Sequence, residues 1–361
     1  MTPEVSKAEK LANTIQQKAP FIMSIPAGRN LVEDLRIMHS SPAAYARVQS
    51  KLKPYFFLKD LKQFHRTAPK KYAGGVILNI LGYQIFRTLF HSLRWKLRRL
   101  FTAKSKDPKV QEAVDTLDKY GVAIINDLYT MDEAQTLVDE FHKLDARFTN
   151  HFPEFKEGVV STSCTPCWTE AIPSEACQNL VVKNERLNEI LEKVSGIEPR
   201  YSPEVSFLEY KANVDDLGRP HVDGQDNLHA DVVYPSYKAF IYLGDVDKKS
   251  GAFHYASGTH KLTLRRIWLE YRCSVRHYLE PFFKTGNGPV DIEKNEFAKL
   301  GIQESPQEGR AGTVVIFNTM GFHRRGDFLE GGKNVRRLIH SNYRYLDSLT
   351  NRFSGTRREL W

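Results

Sequence analysis

The sequence is short of cysteine, of long apolar runs and, over its first third, of acid. Four cysteines (Cys164, Cys167, Cys177 and Cys273) in 361 residues are too few for a disulfide scaffold. Cys164-Thr165-Pro166-Cys167 is a lone CxxC. No second pair completes a zinc site and no thioredoxin-like context makes it a redox motif, so these thiols read as incidental. Residues 73–86 carry no charge, but fourteen residues are too few to span a bilayer. The first twenty residues are polar and charged, without the apolar core of a secretory signal, so a cytoplasmic chain is expected. No repeat or low-complexity tract is visible, and the absence of a recognised nucleic-acid module argues against a nucleic-acid partner.

The shortage of acid is local. Residues 1–107 hold 20 Lys and Arg against 6 Asp and Glu, a balance of +14, so with +9 for the whole chain the remainder carries −5. Such asymmetry points to an anionic partner for the N-terminal part. Pro20, Pro26, Pro42 and Pro54 break residues 1–72 into short helices. Beyond them Phe86, Leu89, Phe90, Leu93, Leu97, Leu100 and Phe101 recur at helical spacing. Arg87, His91, Arg94 and Arg98 fall on another face, and Trp95 lies between. A basic amphipathic helix of this kind can lie in a membrane interface, with its cations near anionic headgroups. Residues 83–104 are therefore expected either to hold the chain peripherally on the inner face of a membrane or to pack on the rest of the protein.

The chemistry is concentrated in Asn227-Leu228-His229-Ala230-Asp231-Val232-Val233-Tyr234-Pro235. On a strand, residues i and i+2 share a face, so His229 and Asp231 can hold one metal together. A third ligand must come from another strand. His323 follows the apolar run Gly312–Phe317, and Arg336 comes thirteen residues later. Two histidines and one carboxylate with open coordination positions form the facial triad of non-haem Fe(II) sites. His221-Val222-Asp223 has the same spacing but sits among Gly218, Pro220 and Gly224, which is loop chemistry. His254, His260 and His340 compete with His323, but only His323 follows the apolar strand and precedes the arginine at that interval.

From about Pro203, short β-rich runs separated by turns suit a jelly-roll barrel, the double-stranded β-helix. The expected strands are Val205–Lys211, His229–Val233, Ala239–Leu243, Ala252–Tyr255, Thr313–Phe317 and Val335–Arg344. Helices are expected over Val110–Lys119 and from Met131 to Leu144, the latter begun by Thr130. The fold class is mainly β with flanking helices. Its expected division is a basic helical region, 1–107, and a barrel domain, 108–361. Residues 261–305 form an insertion that begins with an arginine- and aromatic-rich helix, Leu264 to Phe283, and could act as a lid.

From Val110 to Tyr345 the chain resembles the phytanoyl-CoA dioxygenase-like Fe(II)/2-oxoglutarate oxygenases. The resemblance rests on an ordered set: Tyr120-Gly121-Val122-Ala123-Ile124-Ile125, a helix ending at Gly196, Phe207-Leu208-Glu209-Tyr210-Lys211, the His-x-Asp, Gly258-Thr259-His260, His323 and Arg336. It implies Fe(II) on His229, Asp231 and His323, 2-oxoglutarate as cosubstrate and dioxygen as oxidant. Arg336 is then the fork for the distal carboxylate, because only one of Arg336 and Arg337 can face inward. Lys211 matches a lysine near the cosubstrate, and His260 reads either as a residue that orients the metal ligands or as a structural one. Two positions after the distal histidine some members carry a small hydroxyl residue; here it is Arg325. Related halogenases lack the carboxylate, so Asp231 implies hydroxylation. An anionic, amphiphilic substrate would suit the charges: the Kdo sugar of lipopolysaccharide, as in Kdo hydroxylases, or a phytanoyl-type acyl-CoA. The residues alone also allow a zinc hydrolase using the same three ligands, or a catalytically silent barrel that only binds.

Overall fold

A computed structural model of the chain describes residues 81–145, 160–168, 174–196, 204–212, 228–232, 235–279, 290–292 and 299–343, with a few positions before 81. Among the described residues, eleven strands form two antiparallel sheets: β1 (Val122–Ile125), β2 (Val160–Trp168), β3 (Glu204–Ala212), β4 (Leu228–Ala230), β5 (Tyr237–Tyr242), β6 (Phe253–Tyr255), β7 (Val290–Ile292), β8 (Ser305–Gln307), β9 (Val314–Asn318), β10 (His323–Arg325) and β11 (Val335–Tyr343). One sheet runs β1-β9-β5-β11-β3-β2 and the other β7-β4-β10-β6-β8. From β3 to β6 and from β8 to β11 the chain alternates between sheets except at the β6–β8 return, which is the winding of a double-stranded β-helix.

Strand alternation sorts the larger sheet into two cores. Ala239 and Ile241 of β5, Val314 and Ile316 of β9, and Ile339 of β11 join a cluster with three helices. These are α2 (Pro108–Tyr120), α3 (Met131–Asp145) and α4 (Glu185–Ser195). Their intervening neighbours Phe240, Tyr242, Val315, Phe317 and Leu338 meet Phe253 and Tyr255 of the smaller sheet. Both faces of these strands are thus covered, which is why the sequence shows continuous apolar runs there rather than alternation.

The helix boundaries follow local chemistry. Asp107 caps α2 by accepting from the Lys109 N–H, and Pro108 occupies the first turn. Gly121, at φ 83°, turns the chain out of α2 and into β1. Thr130 and Glu133 form a reciprocal cap for α3: Thr130 N–H donates to the Glu133 carboxylate, and Glu133 N–H to the Thr130 hydroxyl. Asn184 caps α4 by accepting from the Leu187 N–H, and Gly196, at φ 65°, ends it.

Two further helices are α1 (Tyr83–Leu100) and α5 (Leu264–Leu279). The described residues fall into two compact units divided at Phe90, within α1; Thr263–Val290 belongs with the part before that point, and the barrel with the part after it. Helix α1 corrects one expectation. Arg87 and His91 are buried, so they are not free to meet headgroups, while the apolar stripe is the exposed side. Trp95 is also taken up internally, with its ring 5.9 Å from that of Tyr237. The strand Cys164-Thr165-Pro166-Cys167 lies on β2. The expected helices within 1–72, His221-Val222-Asp223, and residues 280–289 and 293–298 of the insertion lie outside the described residues, isolated positions aside.

Candidate metal centre

His229 is the middle residue of β4, Asp231 follows its end, and His323 opens β10. The two short strands are hydrogen-bonded neighbours, and His323 stands directly across from His229. Their rings lie 4.6 Å apart between centroids. One carboxylate oxygen, Asp231 Oδ1, is 3.8 Å from His229 Nε2 and 3.7 Å from His323 Nε2. One ligand atom from each of the three residues fits within 4.8 Å of the others, the one such group among the described residues. Two metal bonds of about 2.1 Å span up to about 4.2 Å, so one ion can bridge each of these carboxylate–imidazole gaps.

The histidine is aimed as well as placed. His323 Nδ1–H donates to the Gly321 carbonyl at 2.9 Å, which leaves Nε2 with its lone pair toward Asp231. The Tyr255 ring stacks on it with 8° between planes, and its hydroxyl donates to the Asn318 carbonyl. A Cβ on Gly321 would stand 1.9 Å from that hydroxyl oxygen, so this close approach requires glycine. Thr259, the middle of Gly258-Thr259-His260, accepts from the Phe322 N–H at 2.8 Å and so braces the residue before His323. His260 lies elsewhere, with Nε2 3.3 Å from the Asp118 carbonyl.

Asp231 is held from both ends. Its backbone N–H donates to the Thr319 carbonyl at 3.0 Å, and its Oδ2 is 2.6 Å from Lys238 Nζ. Burial alone would raise the Asp231 carboxyl, but the Lys238 charge and the two imidazoles outweigh it and hold it well below the usual carboxylate range. The group is therefore an anion ready to bind a cation. Lys238 was not anticipated from sequence. The available signal was its position: a lone charge in β5 on the inward-facing phase of Phe240 and Tyr242.

The neighbouring arginines of β11 part as strand geometry requires. Arg337 turns outward, with Nε 2.6 Å from Glu209 and its guanidinium 5.4 Å from the centre of the Phe141 ring. Arg336 turns into the barrel, 3% exposed. Its guanidinium lies 4.5 Å from the centre of the Tyr210 ring and donates to the Gly251 carbonyl. Its Nε is buried without a partner, and no carboxylate among the described residues pairs with it. Burial lowers its pKa from the usual arginine value. Arg325, on the same face of β10 as His323, reaches the Tyr210 ring too, at 5.5 Å. Lys211 is a correction. On β3 it points to the face opposite Tyr210, 2.7 Å from Glu209 and 55% exposed, so it does not join Arg336 inside. His340 faces inward beside Phe240, and His254 faces outward near Glu304, 3.6 Å away; neither joins the triad.

No protein-family model matches the chain, and no curated protein does so either. Several solved structures are similar to it. The epimerase SnoN in complex with Fe3+, alpha ketoglutarate and nogalamycin RO is 15% identical over 65% of this chain and 83% of its own, with a TM-score of 0.46. The alpha ketoglutarate dependent carbocyclase SnoK, from nogalamycin biosynthesis, is 15% identical over 64% and 83%, at 0.41. HygX from Streptomyces hygroscopicus, with nickel, 2-oxoglutarate and hygromycin B bound, is 19% identical over 64% and 86%, at 0.39. All three scores lie below 0.5.

Proposed function

We propose that the chain is a hydroxylase that uses Fe(II) on His229, Asp231 and His323 and 2-oxoglutarate as cosubstrate, acting on an anionic, amphiphilic organic substrate. Two imidazole nitrogens and one carboxylate oxygen suit Fe(II) and leave positions open. Iron held by these three residues would supply the redox chemistry by which dioxygen and 2-oxoglutarate give succinate, CO2 and a hydroxylated substrate.

Arg336 is the observation that carries this reading. A buried guanidinium without an anionic partner costs several kcal/mol, roughly, unless something completes it. Arg336 would hold the distal carboxylate of a dicarboxylate cosubstrate, which a guanidinium fork fits. Tyr210 bears on the same guanidinium, and Arg325 adds a second cation against that ring. Lys238 neutralises the Asp231 oxygen turned from the histidines, and the Gly321 carbonyl fixes the tautomer that His323 needs. The charge of this interior and of residues 1–107 favours an anionic substrate, with a Kdo-type sugar acid or an acyl-CoA as the classes to try first. A zinc hydrolase on the same ligands would leave Arg336 without a role.

The test is anaerobic titration with Fe(II) and then 2-oxoglutarate, read by the visible charge-transfer band. The wild type should show the band, and in Asp231→Ala it should weaken or shift. Arg336→Ala should retain Fe(II) but need about 10–100-fold more 2-oxoglutarate, the loss expected for a charge-assisted pair. Tight zinc binding with no band would replace this reading by the hydrolase, and no metal binding at all would leave a binding protein. If neutral soluble metabolites are turned over as well as anionic amphiphiles, the substrate class is wrong.

A further inference from the structure

Helix α1 is inside out. Gln84, Arg87, Thr88, His91 and Ser92 are buried, whereas Phe86, Leu93, Leu97, Leu100 and Phe101 are between 48% and 88% exposed. The exposed residues, with Leu89 and Phe90, fall three and four apart and so make one stripe. A lone exposed leucine needs no explanation, but a continuous stripe of leucine and phenylalanine marks a surface that is covered in use. The inversion recurs on α5. There Arg266 and Glu270 form a buried ion pair at 2.7 Å, while Leu264 is 86% and Trp268 60% exposed.

Charge identifies what covers the stripe. Residues 61–106 contain 11 Lys and Arg and not one Asp or Glu. Arg99 is taken up by Asp118 and the Lys193 carbonyl, but Lys96, Lys104 and Lys106 are exposed around the end of the stripe. Two copies meeting stripe to stripe would bring these cations together, which like-charge repulsion opposes. An anionic lipid surface instead takes the apolar side chains into its acyl boundary and the cations at its headgroups. None of the described helices is long and apolar enough to cross a membrane, so α1 would lie along the surface, its 18 residues covering about 27 Å.

We propose that α1 is a membrane-interface helix that docks the protein on anionic lipid through Phe86, Leu93, Leu97, Leu100 and Phe101. This does not rest on the metal reading. The experiment is flotation of the full chain with vesicles of phosphatidylcholine alone or mixed with phosphatidylglycerol. Wild type should float with the mixed vesicles and bind the neutral ones at least roughly tenfold more weakly. The double variant Leu93→Asp/Leu97→Asp should lose binding by a similar factor or more, since two apolar contacts are replaced by anions. Leu329→Asp, at an exposed leucine outside the stripe, should float like wild type. Fe(II) binding measured on the same samples shows whether each variant is intact. The proposal is overturned if wild type does not float with either vesicle, or if the double variant floats equally well. It is also overturned if wild type is a discrete dimer that the double variant disperses, because a second copy would then be the cover.

Discussion

Inside the barrel, among the described residues, Asp231 lies between two imidazoles and Lys238, and Arg336 lies against Tyr210 with no carboxylate paired to it. Along α1 the buried polar groups run in a line beneath a stripe of exposed apolar ones. Burial of polar groups is costly in both places, but what offsets the cost differs. In the barrel the charges are arranged so that a cation at one point and an anion at another would complete them. In α1 the polar side is buried and the apolar side exposed, an arrangement that the proposed docking on lipid would account for. The lesson is that an inverted pattern gains meaning from what its exposed or unmatched groups have in common.

This contrast can be broken experimentally. Leu117, fully buried in the helix layer, should cost about 2–5 kcal/mol on change to alanine, read by denaturant unfolding. The outer face of the smaller sheet should respond to acid. Burial alone would raise the Glu304 carboxyl, but hydrogen bonds and charge from His254 and Arg324 pull it down to about 2. A folded pKa below the unfolded one contributes stability that is present above the ordinary glutamate range and lost as pH falls toward 2. Glu304→Gln should therefore flatten the fall in stability between about pH 4.5 and pH 2, an effect of at most about 3 kcal/mol. Lys238→Met should weaken Fe(II) binding by about 10–100-fold without preventing folding, as for other groups that hold a metal ligand from behind. Leu97→Asp should change stability by no more than about 0.5 kcal/mol, since its side chain is 48% exposed. A large loss there would mean that the stripe is packed after all, and the contrast between barrel and helix would fall.

Much of the fold was legible in the sequence. Six expected strands lie within two residues of β3, β5, β6, β9 and β11 at their described ends, and on β4 at its start, because long apolar runs and flanking turns mark them. The helices at Val110 and Met131 were marked by caps and periodicity. Strand β10 was not legible: His323-Arg324-Arg325 has no apolar pattern, and only its place between β4 and β6 makes it a strand. The resemblance put Lys211 near the cosubstrate, but the register turns it to the face opposite Tyr210, while Lys238 arrives from β5 instead.

By itself the sequence determined the residue types and their spacing: a His-x-Asp that shares one strand face, a distant histidine after an apolar run, adjacent arginines of which only one can face inward, and a helix with one apolar stripe. These are local properties, set by the two-residue period of a strand and the 3.6-residue period of a helix. The tertiary structure alone decided which face turned inward. It brought His323 across from His229 over 94 positions of chain, put Lys238 on Asp231, left Arg336 buried with no carboxylate among the described residues paired to it, and turned the apolar stripe of α1 outward. Periodicity can specify that two faces differ, but which face is covered depends on what packs against it, and that is a property of the whole chain.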